Sequence, residues 1–304
     1  EAISDGKEFV ICGILQHIEQ AGVHSGDSAC SIPPYDISKE AINKIEIEVE
    51  KVISNMKIIG LVNVQLAYVN NNVFILEVNP RASRTIPFVS KALGIPLARV
   101  AAKVMAGKSL KDLKFQNVPN LEGFFVKEAV MPFNKFQNVD PILGPEMRST
   151  GEVMGIGNSF AEAFEKAEVG AGVEIPKEGS VFISVRDTDK QFLSEIVPSL
   201  VEEDFKLIAT KGTASVIKNM GFKVSQIKKV IEGRPNIVDL MKNKEVNLVI
   251  NTTEGRESIL DSASIRRTAL DEKICCTTTI KGAKAICEVI TKKVDWSYRK
   301  LQDI

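Results

Sequence analysis

Four side chains with amide or carboxylate oxygens, Asn63, Gln65, Glu77 and Asn79, lie in the stretch 61–81, LVNVQLAYVNNNVFILEVNPR. Two strand-like runs flank Asn70, Asn71 and Asn72, residue types that tolerate the left-handed backbone of a tight turn. With those three as the loop, Val69 opposes Val73, Gln65 opposes Glu77 and Asn63 opposes Asn79. Side chains alternate between faces with period two, so the four oxygen-bearing residues share one face. Val62, Val64, Leu66, Leu76 and Val78 fall on the other, where a core can bury them. Directly opposed Cβ atoms about 5 Å apart make the polar face an oxygen-rich patch. Such donors suit Mg²⁺, which is commonly held by one or two carboxylates plus substrate phosphates. The same pattern also describes the solvated face of an antiparallel sheet. Arg81 and Arg84, directly after the second strand, favour a metal–phosphate site.

The elements around this hairpin follow from periodicity. Residues 9–15 form an apolar, strand-like run, followed by a polar stretch containing His17, Glu19, His24, Ser25, Asp27 and Ser28. Ile42, Ile45, Val49, Val52, Ile53 and Met56 mark one face of a helix, with Asp36 or Ser38 as N-cap. Residues 87–93 predict a short helix stopped by Gly94, and 96–106 another that ends at Gly107. The segment 108–122 lacks periodicity and reads as a connector. Strand character returns at 124–131, then comes the Gly/Pro-punctuated stretch LGPEMRSTGEVMGIG and a helix capped by Asn158 or Ser159.

Beyond a polar, Gly-rich boundary at 170–179 the pattern changes to regular alternation. Strands are expected at 181–185, 206–210, 246–251 and 273–277, with a weaker one near 222–224. Helices are expected at 190–202, 213–220, 235–242, 262–270 and 281–291. That order predicts a doubly wound parallel sheet, whose ligands sit at the carboxyl ends of its strands. Two strand ends suit phosphate: Thr210-Lys211-Gly212-Thr213 enters a helix, and Asn251-Thr252-Thr253 precedes Gly255. Lys190 and Lys229 can reach the same crevice. Ordinary helix capping by Thr and Asn is the competing explanation for each loop taken singly.

Lys+Arg and Asp+Glu are equal at 39 each, so no net field favours nucleic acid or an anionic membrane. The five cysteines are odd in number and form no CxxC pair, which argues for a reducing compartment and against a zinc site. No apolar run approaches the ~20 residues of a membrane helix. The first residue is Glu1 rather than Met, and 1–15 reads as a sheet joined part-way. The expectation is a portion of a longer, cytoplasmic chain.

The motifs HIEQAGVHSGDSACSIPP, EVNPRASRTIPFVSKALGIP, MAGKSL, VKEAVMPFNKF and DPILGPEMRSTGEVMGIG occur in this order. Together they closely resemble the carbamoyl-phosphate synthetase large-chain family, over essentially the whole sequence. The likeness is to the C-terminal part of such chains. It implies an α/β chain: an α+β ATP-grasp lobe with an antiparallel sheet over 1–107, a connecting segment over 108–170, and a doubly wound methylglyoxal-synthase-like domain over 171–304. In that family the second ATP-grasp unit phosphorylates carbamate with ATP and Mg²⁺ or Mn²⁺, work that serves pyrimidine and arginine biosynthesis. Its partners are a glutaminase small chain and the rest of the large chain.

Residue by residue, the resemblance implies metal ligation by Gln65, Glu77 and Asn79, with Gln65 and Glu77 also meeting the nucleotide. His24 and Ser25 would lie against its ribose, and Arg81 and Arg84 would hold phosphate or carbamate charge as the catalytic pair. In the second domain it implies binding of UMP or IMP by Ser184, Lys190, Thr210, Lys211, Gly212, Thr213, Lys229, Asn251, Thr252 and Thr253. Ornithine, an activator of some members, would meet Glu19, Asp27, Glu128 and Thr278. Cys276, where ornithine-responsive members are expected to carry an aromatic, speaks against ornithine here. A methylglyoxal synthase needs aspartates to move a proton, whereas Asn251-Thr252-Thr253 offers amides and hydroxyls, poor bases near neutral pH. The domain therefore reads as a sensor. A stand-alone nucleotide-monophosphate-binding module and a methylglyoxal-synthase-like lyase are the alternatives.

Overall fold

The computed structural model of the protein describes residues 1–136, 139–293, 295–298 and 300. The first third contains β1 (Ala2–Asp5), β2 (Phe9–Ile11), β3 (Gln16–His17), β4 (Cys30–Ile32), α1 (Lys39–Met56), β5 (Ile59–Val69), β6 (Asn72–Asn79), α2 (Ile86–Leu93) and α3 (Leu97–Met105). The middle adds β7 (Phe124–Val130), β8 (Gly151–Gly157) and α4 (Phe160–Ala171). The remainder alternates: β9 (Ser180–Ser184), α5 (Leu193–Glu202), β10 (Lys206–Thr210), α6 (Lys211–Asn219), β11 (Ser225–Ile227), α7 (Ile237–Lys242), β12 (Leu248–Asn251), α8 (Arg256–Asp261), α9 (Ala263–Asp271), β13 (Cys275–Thr277) and α10 (Ile280–Lys292). None of the described helices is long and apolar enough to cross a membrane.

Two antiparallel sheets, ordered β2-β1-β5-β6 and β3-β4-β7-β8, precede a parallel sheet ordered β11-β10-β9-β12-β13. Helix α1 starts because the Ser38 hydroxyl accepts from the Ala41 amide. Its buried stripe, Ala41, Ile45, Val49 and Ile53, packs on Ala2 and Val62 of the first sheet. The second sheet alternates: Phe125 joins the core of α2 and α3, and Val126 joins Phe160 and Phe164 of α4. That second core runs on into Val181, Ile183, Leu248 and Ile250, with α5, α6 and α10 on this face of the parallel sheet. Phe182 and Val249 point the other way, onto α7 and α9. The parallel sheet is doubly wound, as its alternation implies.

The hairpin turns differently from expectation. Val69 pairs with Asn72, so the loop has two residues, Asn70 and Asn71, both with positive φ (49° and 65°). This is the backbone of a type I′ turn, whose twist matches the strands it joins. Gln65 opposes Glu77 and Asn63 opposes Asn79 as expected, because a β-bulge at Gln65/Leu66 restores the register. The surplus residue is Leu76, which is 54% exposed instead of buried on the apolar face.

Three other elements depart from the sequence pattern. The weak strand expected at 222–224 forms three residues later, as β11. The helix expected from residue 190 begins as a 3₁₀ turn, Asp187–Phe192, and becomes α-helical at Leu193. The Gly-punctuated stretch contains a full strand, β8, whose glycines let α4 approach. A Cβ on Gly155 would lie 1.9 Å from the Ala163 carbonyl oxygen and 2.6 Å from the Ala167 nitrogen, both backbone atoms. Gly155→Ala is therefore expected to destabilise the fold by about 3 kcal/mol or more, read as a lower urea midpoint with an unchanged m-value.

Candidate functional site

Three residues of the hairpin face are unengaged. Among the described residues no hydrogen bond reaches the side chains of Gln65, Glu77 or Asn79, and all three are at least partly exposed. Asn63 is different: its Nδ2 donates to the Glu1 carboxylate at 2.7 Å. The same Glu1 oxygen, Oε1, accepts from the hydroxyls of Ser83 and Thr85, both at 2.5 Å. Glu1 thereby ties the hairpin to the turn that carries Arg81 and Arg84, a link between distant residues with no local sequence signal. Its other oxygen, Oε2, is buried without a partner among the described residues. One carboxylate and two carbonyl oxygens form a weak divalent-cation site by themselves. The chemistry fits an ion completed by substrate phosphate oxygens.

Loop 24–28 faces that turn. The Gly26 amide donates to His24 Nδ1 at 3.0 Å, so the proton of a neutral ring sits on Nε2. His24 Nε2 lies 3.2 Å from Arg84 Nη1. A guanidinium can only donate, so the two N–H groups converge without an acceptor between them, an arrangement an anionic oxygen would satisfy. Arg84 Nη1 also touches the Met147 sulfur, which brings the MRSTG motif to the site. The loop is held from beneath. The Lys127 ammonium, on a residue only 1% exposed, donates to the carbonyls of Ser25 (3.3 Å) and Gly26 (3.1 Å). Asp27 accepts from the backbone amides of Arg148 (2.7 Å) and Ser149 (3.0 Å). Arg81 is exposed and donates to the Ala82 carbonyl at 3.2 Å.

Of the residues assigned to ornithine, Asp27 is engaged by backbone while Glu19 and Glu128 come together. Both Asp27 oxygens are already taken by backbone amides, and the residue is 1% exposed. Glu19 accepts from Ser28 Oγ and the Ala29 amide, each at 2.7 Å, and Ser28 Oγ also meets His17 Nδ1 at 2.8 Å. Glu19 and Glu128 instead group with Glu168 of α4, which the sequence reading did not single out. Burial pushes Glu168 up to about 8, with Glu19 adding to the rise. Glu128 is raised by burial, then by Glu168 and Glu19, and Glu19 is raised by burial. His17 is pushed down to about 4 by burial and by the charges of Lys127 and Lys281. Thr278 is half-buried after β13, and Cys276 packs beside Phe182 and Ile237, on the face of the parallel sheet that α7 and α9 cover.

In the parallel domain a cavity of about 550 Å³ opens at the carboxyl ends of β9, β10 and β12. Strand order reverses at β9, the position where doubly wound sheets bind ligands. Ser184, Lys190, Thr210, Gly212, Thr213, Lys229, Asn251, Thr252 and Thr253 line it. Lys211 does not, being exposed on the first turn of α6. Thr210 precedes α6 with its hydroxyl 3.2 Å from Ser184 Oγ and makes no cap bond. Lys190 approaches so closely that a Cβ on Gly212 would lie 3.2 Å from its Nζ. Asn251 is 1% exposed, and its Oδ1 has no partner among the described residues. Glu254, Glu257 and Asp261 form an acidic wall that the sequence reading missed.

Family models match both halves: a "Carbamoyl-phosphate synthase L chain, ATP binding domain" over residues 1–113 and an "MGS-like domain" over 193–278. The carbamoyl phosphate synthase large chains of Pseudomonas putida and Pseudomonas aeruginosa are each 55% identical over 100% of this chain. The chain belongs to the carbamoyl phosphate synthase large-chain family. It spans 28% of the length of those two relatives and 29% of the Pasteurella multocida large chain, to which it is 52% identical. Among solved structures, a biotin carboxylase domain of a single-chain bacterial carboxylase aligns with TM-score 0.37 and 15% identity, over 42% of this chain and 31% of its own. Methylglyoxal synthase from Elizabethkingia anophelis NUHP1 aligns with TM-score 0.33 and 16% identity, over 38% and 83%.

The carboxyl cluster fixes a pH dependence. A carboxyl whose folded pKa is raised favours the protonated state of the fold. Its stabilisation is complete below the unfolded value and is lost as pH rises through the folded value. For Glu168 that window runs from 4.5 to about 8. Glu168→Gln is expected to flatten the fall in stability between these limits. The check is urea unfolding of both proteins at several pH values across the window.

Proposed function

We propose that this chain is the C-terminal part of a carbamoyl phosphate synthase large chain and that it has two tasks. In the intact enzyme its hairpin helps bind ATP with Mg²⁺ or Mn²⁺ for phosphorylation of carbamate. Its parallel domain binds a nucleotide monophosphate, UMP or IMP, as effector. The observation that carries the first task is the row of unengaged oxygens on Gln65, Glu77 and Asn79, tied through Asn63 and Glu1 to the turn whose Arg84 meets His24. The metal, held through those oxygens, would neutralise phosphate charge. Arg84 and Arg81 would hold the anionic groups in line, and His24 with Ser25 would lie along the nucleotide. Carbamate is already an anionic nucleophile, so its oxygen attacks the γ-phosphorus and ADP departs without a general base.

The effector reading rests on a cavity lined by Lys190, Lys229, Thr210 and Thr213 together with Glu254, Glu257 and Asp261, the Lys190 ammonium being paired with Asp187 at 2.6 Å. That lining suits one phosphate on a donor-rich body and disfavours di- and triphosphates. The divisions 1–107, 108–170 and 171–304, a glutaminase small chain and the remaining large chain as partners, and a cytoplasmic location complete this reading. Its five free cysteines suit a reducing compartment.

In the intact enzyme Glu77→Gln should lower carbamoyl phosphate formation by at least about a hundredfold, while UMP or IMP binding is retained. Calorimetric titration of the 304-residue chain with UMP and IMP should detect binding that Thr210→Ala or Lys229→Ala weakens about tenfold. No heat from either nucleotide at millimolar concentration would count against the effector role. The isolated chain should release no ADP from MgATP with bicarbonate or carbamate. Methylglyoxal formed from dihydroxyacetone phosphate would revive the lyase reading.

A further inference from the structure

The strand β2 forms one open edge of the first antiparallel sheet, and a groove of about 660 Å³ runs along it. Its walls are Asn43, Glu46, Ile47 and Glu50 of α1 on one side and the segment 116–118 on the other. Which backbone groups face the groove follows from the ladder. Cys12 donates to the Glu1 carbonyl and Asp5 to the Glu8 carbonyl, so the hydrogen-bonded pairs are Glu1/Cys12, Ile3/Val10 and Asp5/Glu8. In an antiparallel ladder the intervening residues point their N–H and C=O groups away from the partner strand. Those residues are Phe9 and Ile11, opposite Ser4 and Ala2. Among the described residues none of their four backbone groups has a partner on the open side.

The side chains along this edge add specificity. Ile47 is 51% exposed, and Phe9 and Ile11 are half-buried, so the groove has an apolar floor. Its only charged lining residues are Glu46 and Glu50, one turn apart on α1, and neither has an ion-pair partner among the described residues. Unpaired edge groups beside an apolar, acidic groove match the recognition of a chain that adds as a strand. A second copy of this chain would fit poorly, because edge-to-edge pairing would bring like-charged Glu46 and Glu50 together.

We propose that the β2 edge receives an extended segment from the remainder of an intact large chain, added as a further strand, with apolar side chains over Ile47 and Phe9 and basic side chains against Glu46 and Glu50. The occupant's source rests on the proposal that this chain is part of a longer one. The relatives carry nearly three-quarters of their length outside the matched region.

Hydrogen exchange of the intact large chain and of the 304-residue chain tests this. The amides of Phe9 and Ile11 should exchange roughly a hundredfold more slowly in the intact chain, and Glu46→Lys with Glu50→Lys should remove most of that protection. Zero-length carboxyl–amine coupling of the unsubstituted intact chain should join Glu46 or Glu50 to a lysine outside the 304 residues, which keeps the test open if the double variant misfolds. Equal exchange in the two chains, with the intact chain still making carbamoyl phosphate, would overturn the docking and leave the family reading untouched. Protection that rises with concentration of the 304-residue chain would show self-pairing and overturn it as well.

Discussion

A single buried ammonium organises the anion-facing end of this molecule. Lys127 sits in the middle of β7 with 1% of its surface exposed, and its charge is directed at the carbonyls of Ser25 and Gly26. A buried charge is tolerated only where hydrogen bonds replace its lost hydration. The loop that supplies those carbonyls is therefore not free to move away. From that constraint follow the orientation of His24, the docking of Asp27 on the amides of Arg148 and Ser149, and the approach of Met147 to Arg84. The polar stretch between two short strands behaves as a rigid shelf, although its sequence looks like a loop.

The residue after Lys127 faces the other way. Alternation along β7 turns Glu128 toward Glu168 of α4 and toward Glu19, where burial raises all three carboxyls and repulsion adds to the rise of Glu128 and Glu168. One strand thus carries an ammonium beneath the anion-facing loop and a carboxyl within a crowded acidic group, a single backbone step apart. Glu19 and Ser28 close the circuit, since both belong to the same polar stretch as His24 and are hydrogen-bonded to each other.

Much of this was legible in the sequence where the physics is local. The pairing of Gln65 with Glu77 follows from alternation and survives a wrong turn: a two-residue loop plus one bulged residue contains as many residues as a three-residue loop. Alternation cannot tell where the extra residue goes, which is why Leu76 was misplaced. The crevice residues were legible because they occupy strand ends and helix starts, and Lys211 was not separable from its neighbours because facing is set by the helix's rotation. Glu1, Lys127 and Glu168 act through partners distant in sequence, and no periodicity reports such contacts. Strand β8 was obscured by its own glycines, read as punctuation when they serve packing.

Those glycines matter beyond β8. At Gly155 the sheet meets α4 with no side chain between, backbone against backbone, and Gly157 lies against the Ala163 amide and the Glu162 side chain. The opposite flank of α4 packs on α10, and both helices share one continuous core with the parallel sheet. Close-packed interiors have low compressibility and transmit strain, and at Gly155 not even a side-chain layer stands between strand and helix. A shift of the parallel sheet carried through α10 and α4 would therefore reach β8, and with it the adjoining β7.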